Sequence, residues 1–226
     1  MRRPIRIALA IASFAGAGLS QIFPAQIVSA QDAYFKDAHS QNANAQDAID
    51  QVKADTFDSK VFTRPPGDKA YACFMRRYDA DHLARHPKQK VAAMKLLVSA
   101  EIPEGEKTLA YSFRLGVKYR HRAGDFDSSG YCNHAVAEDN GSEIRFACGV
   151  DCEGGGINVA LSKDDKSAII RLERVRIWQN NKPDDDAEEA LVAGADDKIF
   201  RLDRADANEC AALVTDRKEL AALRHK

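Results

Sequence analysis

The chain has 226 residues, 45% of them hydrophobic, which suits one domain with extensions and excludes collagen-like, low-complexity and multi-span membrane proteins. Its 33 Lys and Arg stand against 34 Asp and Glu, for a formal charge of −1. No global basic field exists to hold nucleic acid or an anionic membrane surface, so nucleic acid is not an expected partner.

Met1-Arg2-Arg3-Pro4-Ile5-Arg6 is followed by an apolar run from Ile7 to Leu19 and a small-residue site at Val28-Ser29-Ala30. This pattern predicts a bacterial type of signal peptide over residues 1–30, cut after Ala30 or after Ser20, and so a periplasmic protein. The run is about 13 residues long against the roughly 20 that a permanent spanning helix needs, and no transmembrane anchor is expected. Removal of Arg2, Arg3 and Arg6 with the leader takes the net charge from −1 to −4.

Residues 31–69 are rich in Ala, Gln, Asp and Asn and close in Arg64-Pro65-Pro66-Gly67, which reads as a flexible tether. A helix over Ala45–Val52 would have only Ile49 and Val52 to bury. From Ala70 the texture changes. Tyr71 to Tyr78 reads as a strand, Asp79 to His86 as a helical turn stopped by Pro87, and Val91 to Ala100 as a strand with Met94, Leu96 and Val98 on one face. The clearest strand is Leu109 to Tyr119, where Leu109, Tyr111, Phe113, Leu115, Val117 and Tyr119 alternate with Ala110, Ser112, Arg114, Gly116 and Lys118.

Asp139-Asn140-Gly141 is a hairpin signal flanked by apolar residues at even positions. A one-residue slip would turn one strand's apolar set to water, so the register should set Val136 opposite Ile144, His134 opposite Phe146 and Cys132 opposite Cys148. Further strands are Ile157–Leu161, Ala168–Trp178 with a bulge between Leu172 and Val175, and Lys198–Leu202. An amphipathic helix from Asp206 to Leu223, capped by Asp206, ends the chain. The expected fold is mainly β, an antiparallel sandwich or small barrel over residues 70–210 with short helices and a C-terminal helical tail over 211–226.

Cys73, Cys132, Cys148, Cys152 and Cys210 all follow the leader, so structural disulfides are the default, with two bridges and one odd thiol. Cys148 can reach Cys132 across the hairpin or Cys152 in sequence, and Cys210 would tie the tail to Cys73 or Cys152.

Several clusters carry potential chemistry. His82 and His86 are four apart, as zinc ligands on a helix must be, with Asp79 or Asp81 as a further donor. No Glu follows the first His as a metalloprotease base, and a capped helical turn needs no metal. Asp125-Phe126-Asp127-Ser128-Ser129-Gly130 matches the opening of a calcium loop, but its twelfth position is Val136 and not the bidentate Glu. Cys132-Asn133-His134 pairs a thiol with an imidazole, an arrangement that a disulfide would silence. Glu153-Gly154-Gly155-Gly156 lacks the lysine and helix of a phosphate loop, and no Gly-x-Ser-x-Gly is present. Arg114, Lys118, Arg120 and Arg122 share one strand region, and Arg171, Arg174 and Arg176 another. If those strands are neighbours, they form a basic face for an anionic ligand. The acidic stretch from Asp184 to Glu189 reads as a solvated loop that would pair with such a face.

Cys148 with Asp151-Cys152-Glu153-Gly154-Gly155-Gly156, then Phe200-Arg201-Leu202-Asp203-Arg204, then Cys210, resemble stretches of exported Gram-negative proteins with no assigned activity. The resemblance implies the periplasm and supplies no catalytic residues. The expectation is a non-enzymatic, cofactor-free binding or interaction protein that meets an envelope component or a periplasmic or outer-membrane protein. Its binding residues would be Arg114, Lys118, Arg120, Arg122, Arg174 and Arg176. The alternatives are a metal-dependent hydrolase using His82 and His86, and a structural envelope protein.

Overall fold

Alternation along the strands determines which side chains meet. In a computed structural model describing residues 51–63, 69–137, 143–151, 153–179 and 189–224, strand β3 (Ala110–Tyr119) buries Phe113, Leu115 and Val117 and turns Arg114, Gly116 and Lys118 outward. The same rule holds for β1 (Lys69–Arg77), β2 (Val91–Glu101), β4 (Asp125–Val136), β5 (Ile144–Gly149), β6 (Gly155–Leu161), β7 (Ser167–Arg176) and β10 (Ile199–Ala205). Strands β1 to β7 pair in chain order, all antiparallel, and β10 pairs with both β7 and β1. That double pairing closes an eight-stranded barrel, so of the two architectures expected, the barrel is the one adopted. Two short strands lie off the ring: β8 (Trp178–Gln179) on β4 and β9 (Ala190–Val192) on β7.

The inside of the barrel is filled. Phe74, Leu96, Phe113, Leu115, Phe126, Phe146, Ile170, Phe200 and Leu202 are each no more than 1% exposed, and they form one continuous core. Eight strands enclose a width that side chains just fill, and each large apolar residue removed from water contributes about 1.5–3 kcal/mol. The hairpin register is the one expected, with Val136 opposite Ile144, His134 opposite Phe146 and Cys132 opposite Cys148. The bulge also lies where parity predicts it: two steps along β6, from Gly155 to Ile157, face three along β7, from Val175 to Leu172.

Three expectations are corrected. The segment Asp125 to Gly130, which matches the opening of a calcium loop, is not a loop but the first half of β4, paired with β3 from Lys118↔Asp125 onward. Residues 51–63, inside the stretch read as a tether, are helical over 51–61 (α1) and insert Phe57, Val61 and Phe62 into the core. The tail is two pieces, a 3-10 helix, η1 (Ala207–Leu213), capped by Asp206, and α3 (Arg217–Arg224), where the side chain of Asp216 accepts from Glu219 N at 2.8 Å. A tight first piece keeps Cys210 against β1, and the second cap restarts the helix toward Glu219.

Both disulfides found here were among the pairings left open. Cys132–Cys148 crosses β4 and β5 within the core. Cys73–Cys210 ties η1 to the outer side of β1, where Leu97, Leu213, Val214 and Leu223 form a second, smaller apolar cluster. Because Cys148 is bonded to Cys132 and Cys210 to Cys73, the alternatives Cys148–Cys152 and Cys152–Cys210 are excluded. Cys152 itself lies outside the described residues, as do the turn at 139–141 and the acidic residues 184–188.

Candidate functional site

The outer wall of the barrel carries several hollows, and one of them lies over strands β1 to β4. Strands β1 to β4 lie side by side there, and their register sets outward-facing residues in rows across the sheet. One row runs Met75, Lys95, Gly116, Asp127 and the next Arg77, Ala93, Lys118, Asp125. Ala93 and Gly116 are the two small residues in the middle: Gly116 makes room for a side chain of η1, and Ala93 leaves the wall low beside it. With Ala212 and Leu213 of η1 closing one side, the result is a groove of about 360 Å³, at the lower end of small-molecule sites. A Cβ added at Gly116 would come within 2.7 Å of the Leu213 side chain, which drapes over it.

The charges of the groove are sorted by strand. Arg76, Arg77, Lys95 and Lys118 come from β1 to β3, and Asp125 and Asp127 from β4. Arg76 pairs with Asp203 at 2.9 Å, Lys118 with Asp125 at 2.9 Å, and Lys95 donates to the carbonyl of Glu209. The Arg77 side chain forms no hydrogen bond or ion pair with the described residues. Lys118 and Asp125 are each more than half exposed, so their mutual attraction is weak and easily exchanged for another partner.

The basic residues read from the sequence are dispersed. Strands β3 and β7 sit on opposite sides of the ring, with three strands between them in either direction, so Arg114, Lys118, Arg120 and Arg122 do not share a face with Arg171, Arg174 and Arg176. Most are also engaged. Arg114 clasps Glu219 with two hydrogen bonds of 3.0 and 2.8 Å, Arg120 donates to the Leu83 carbonyl at 3.1 Å, Arg122 pairs with Glu189 and covers the Phe126 ring, and Arg174 donates to the Glu153 carbonyl at 3.0 Å. Of the six, Lys118 alone lines the groove.

The His82 and His86 pair falls on α2 (Ala80–Arg85) and its C-cap, as spacing implies. The rings, however, are stacked, Tyr78 on His82 at 4.6 Å and His82 on His86 at 4.4 Å. Metal-binding lone pairs lie in the ring plane, so near-parallel rings aim them side by side and not at one point. His82 Nε2 lies 3.0 Å from Gln89 Oε1, and Asp79 caps the helix through His82 N. Asp125 and Asp127 sit on an extended strand, which separates ligands that a calcium loop must gather. Among the described residues no group of three His, Cys, Asp or Glu is arranged to hold a metal ion.

A buried polar cluster sits at the other end of the barrel, under α1. The Asp58 carboxylate, 2% exposed, accepts from the Tyr111 hydroxyl and lies 2.8 Å from His134 Nε2, while Phe57 and Phe146 pack their rings around the imidazole. Burial, and then the bond to Asp58, pushes the Tyr111 hydroxyl well above its ordinary pKa, so it remains a donor. Cys132 is in a disulfide and cannot act as a nucleophile beside His134. The cluster joins α1 to the barrel.

Sequence reasoning missed Arg77, Lys95, Ala93 and Gly116 as a site. The available signal was Gly116, a gap in an otherwise long-chained outward row, but only cross-strand register places Ala93 beside it. The class defined by these features is a closed eight-stranded antiparallel barrel with a filled core, two disulfides and an external groove. Comparison with known proteins gives no family-model match, no match among curated proteins and none among solved structures.

Proposed function

We propose that the protein is a non-enzymatic binding module of the periplasm that takes an envelope component in its external groove. One observation carries this reading: a groove on the outer wall, floored by Ala93 and by Leu213 packed onto Gly116, lies between charged side chains of opposite sign. The signal-type N-terminus and the two disulfides support the compartment, since bridges persist in oxidising surroundings. The filled core directs attention outward, because a ligand inside the barrel would have to displace buried aromatic rings.

The test compares the wild-type mature protein with Ala93→Phe, whose ring fills the groove from the solvent side without touching the core. The soluble low-mass fraction of digested bacterial envelope should raise the wild-type unfolding temperature, since a ligand that binds only the folded state stabilises it. Ala93→Phe should unfold at the wild-type temperature alone and show no rise with the fraction. A rise retained in Ala93→Phe would sink the groove as the site.

A further inference from the structure

We infer that the groove binds a short, extended peptide with both termini free, its carboxylate at Arg77 and its ammonium group at Asp125 and Asp127; this rests on the groove being the binding site. The register supplies the geometry. Arg77 and Asp125 occupy the same row at opposite ends, with Ala93 and Lys118 between them. Four adjacent strands place those ends roughly 14 Å apart, from a strand spacing of about 4.8 Å. An extended chain advances about 3.3 Å per residue, so about four or five residues span the same distance.

Charge chooses among ligand classes. A purely anionic amphiphile would satisfy Arg77 but run its far end against two carboxylates on β4. A cation alone would face Arg76, Arg77 and Lys95. A dipolar ligand matches both ends at once. The middle of the groove offers Met75, Ala93 and Leu213, the last packed onto Gly116, an apolar floor that suits a backbone with small side chains. Lys118 is already matched by Asp125, and an incoming ammonium group can share that carboxylate at little cost because the pair is exposed. Recognition through the two terminal charges selects peptide fragments of a given length over internal segments of a longer chain.

The protein carries its own reporter. Trp178, its single tryptophan, pairs in register with Asp127 and lines an adjoining hollow that shares Asp127 and Leu213 with the groove. Penta-alanine with free termini, titrated into the mature protein, should change Trp178 emission saturably. N-acetylation or C-amidation should each weaken binding about two- to fivefold, the range expected of a partly exposed charge contact. Asp127→Asn should remove the effect of acetylation and keep that of amidation, and Arg77→Gln should do the reverse. Equal binding of free and blocked peptides, no saturable signal at millimolar peptide, or tighter binding of dodecanoate than of any peptide would overturn the inference. If the peptides fail while the envelope fraction still stabilises the wild type and not Ala93→Phe, the groove stands as the site and only the ligand class is refuted.

Discussion

Two segments outside the strand ring cover the barrel, and they are fastened in different ways. At the mouth, α1 is held without a covalent bond: Phe57, Val61 and Phe62 enter the core, Asp58 joins Tyr111 and His134, and Arg204 donates to the carbonyls of Lys60 and Val61 at 2.9 and 2.7 Å. That last contact places a guanidinium on the negative end of the helix dipole. On the outer wall, η1 and α3 bury less apolar surface and rely on the Cys73–Cys210 bridge and the Arg114–Glu219 clasp. A cover with large aromatic anchors needs no cross-link, whereas one built from Ala, Leu and Val gains from a bond that restricts the unfolded chain. The groove borrows Leu213 from the second cover, so its shape depends on a disulfide.

The largest effect should come from that bridge. Its two ends are 137 residues apart, and replacing both Cys73 and Cys210 with Ser should cost about 3–5 kcal/mol in urea unfolding. Hydrogen exchange should rise first in η1 and α3 while the mouth remains protected; equal loosening at both ends would show that the two covers are coupled. At the mouth, Phe57→Ala should cost about 3 kcal/mol, because it removes the ring packed on Phe146 and His134. Limited proteolysis should then cut within α1 and spare the tail. Asp58→Ala leaves the Tyr111 hydroxyl and the His134 ring without their buried acceptor and should cost about 2 kcal/mol by calorimetry.

The smallest effect belongs to the clasp on the tail. Burial pushes the Glu219 carboxyl up, but the hydrogen bonds from Arg114 and the charges of Arg114 and Lys69 outweigh it and hold the group below the usual Glu range. The unfolded chain therefore takes up this proton at a higher pH than the folded one. The contribution of Glu219 is complete above its ordinary pKa and is lost as the pH falls through the lowered folded value. Glu219→Gln should lower stability by about 1 kcal/mol at neutral pH and flatten the acid limb of a stability profile. Unchanged acid sensitivity would mean that the clasp adds nothing to the docking of α3.

How much of this was legible in the sequence differs by element. The β4–β5 register could be read because a single polar turn and an unbroken two-residue period leave only one pairing that buries Phe146 and Ile144 together. In contrast, α1 lay within a polar, Asp-rich stretch, although Ala54, Phe57 and Val61 recur at helical spacing, and these are the residues it buries. The surrounding composition outweighed three informative positions. The basic face failed for a different reason: strand neighbours beyond the hairpins depend on how the sheet closes, and closure set β3 and β7 on opposite walls.

By itself the sequence determined the alternation that gives every strand one apolar and one wet side, the position of the β7 bulge and the cross-hairpin cysteines, because these follow from local period and short-range pairing. Only the tertiary structure decided that β10 joins β1 to β7, that Cys73 meets Cys210, and that Ala93 and Gly116 become neighbours between Arg77 and Asp127. Those contacts join residues far apart in the chain, and the free energy that selects them is the burial of a whole core, which no local stretch contains.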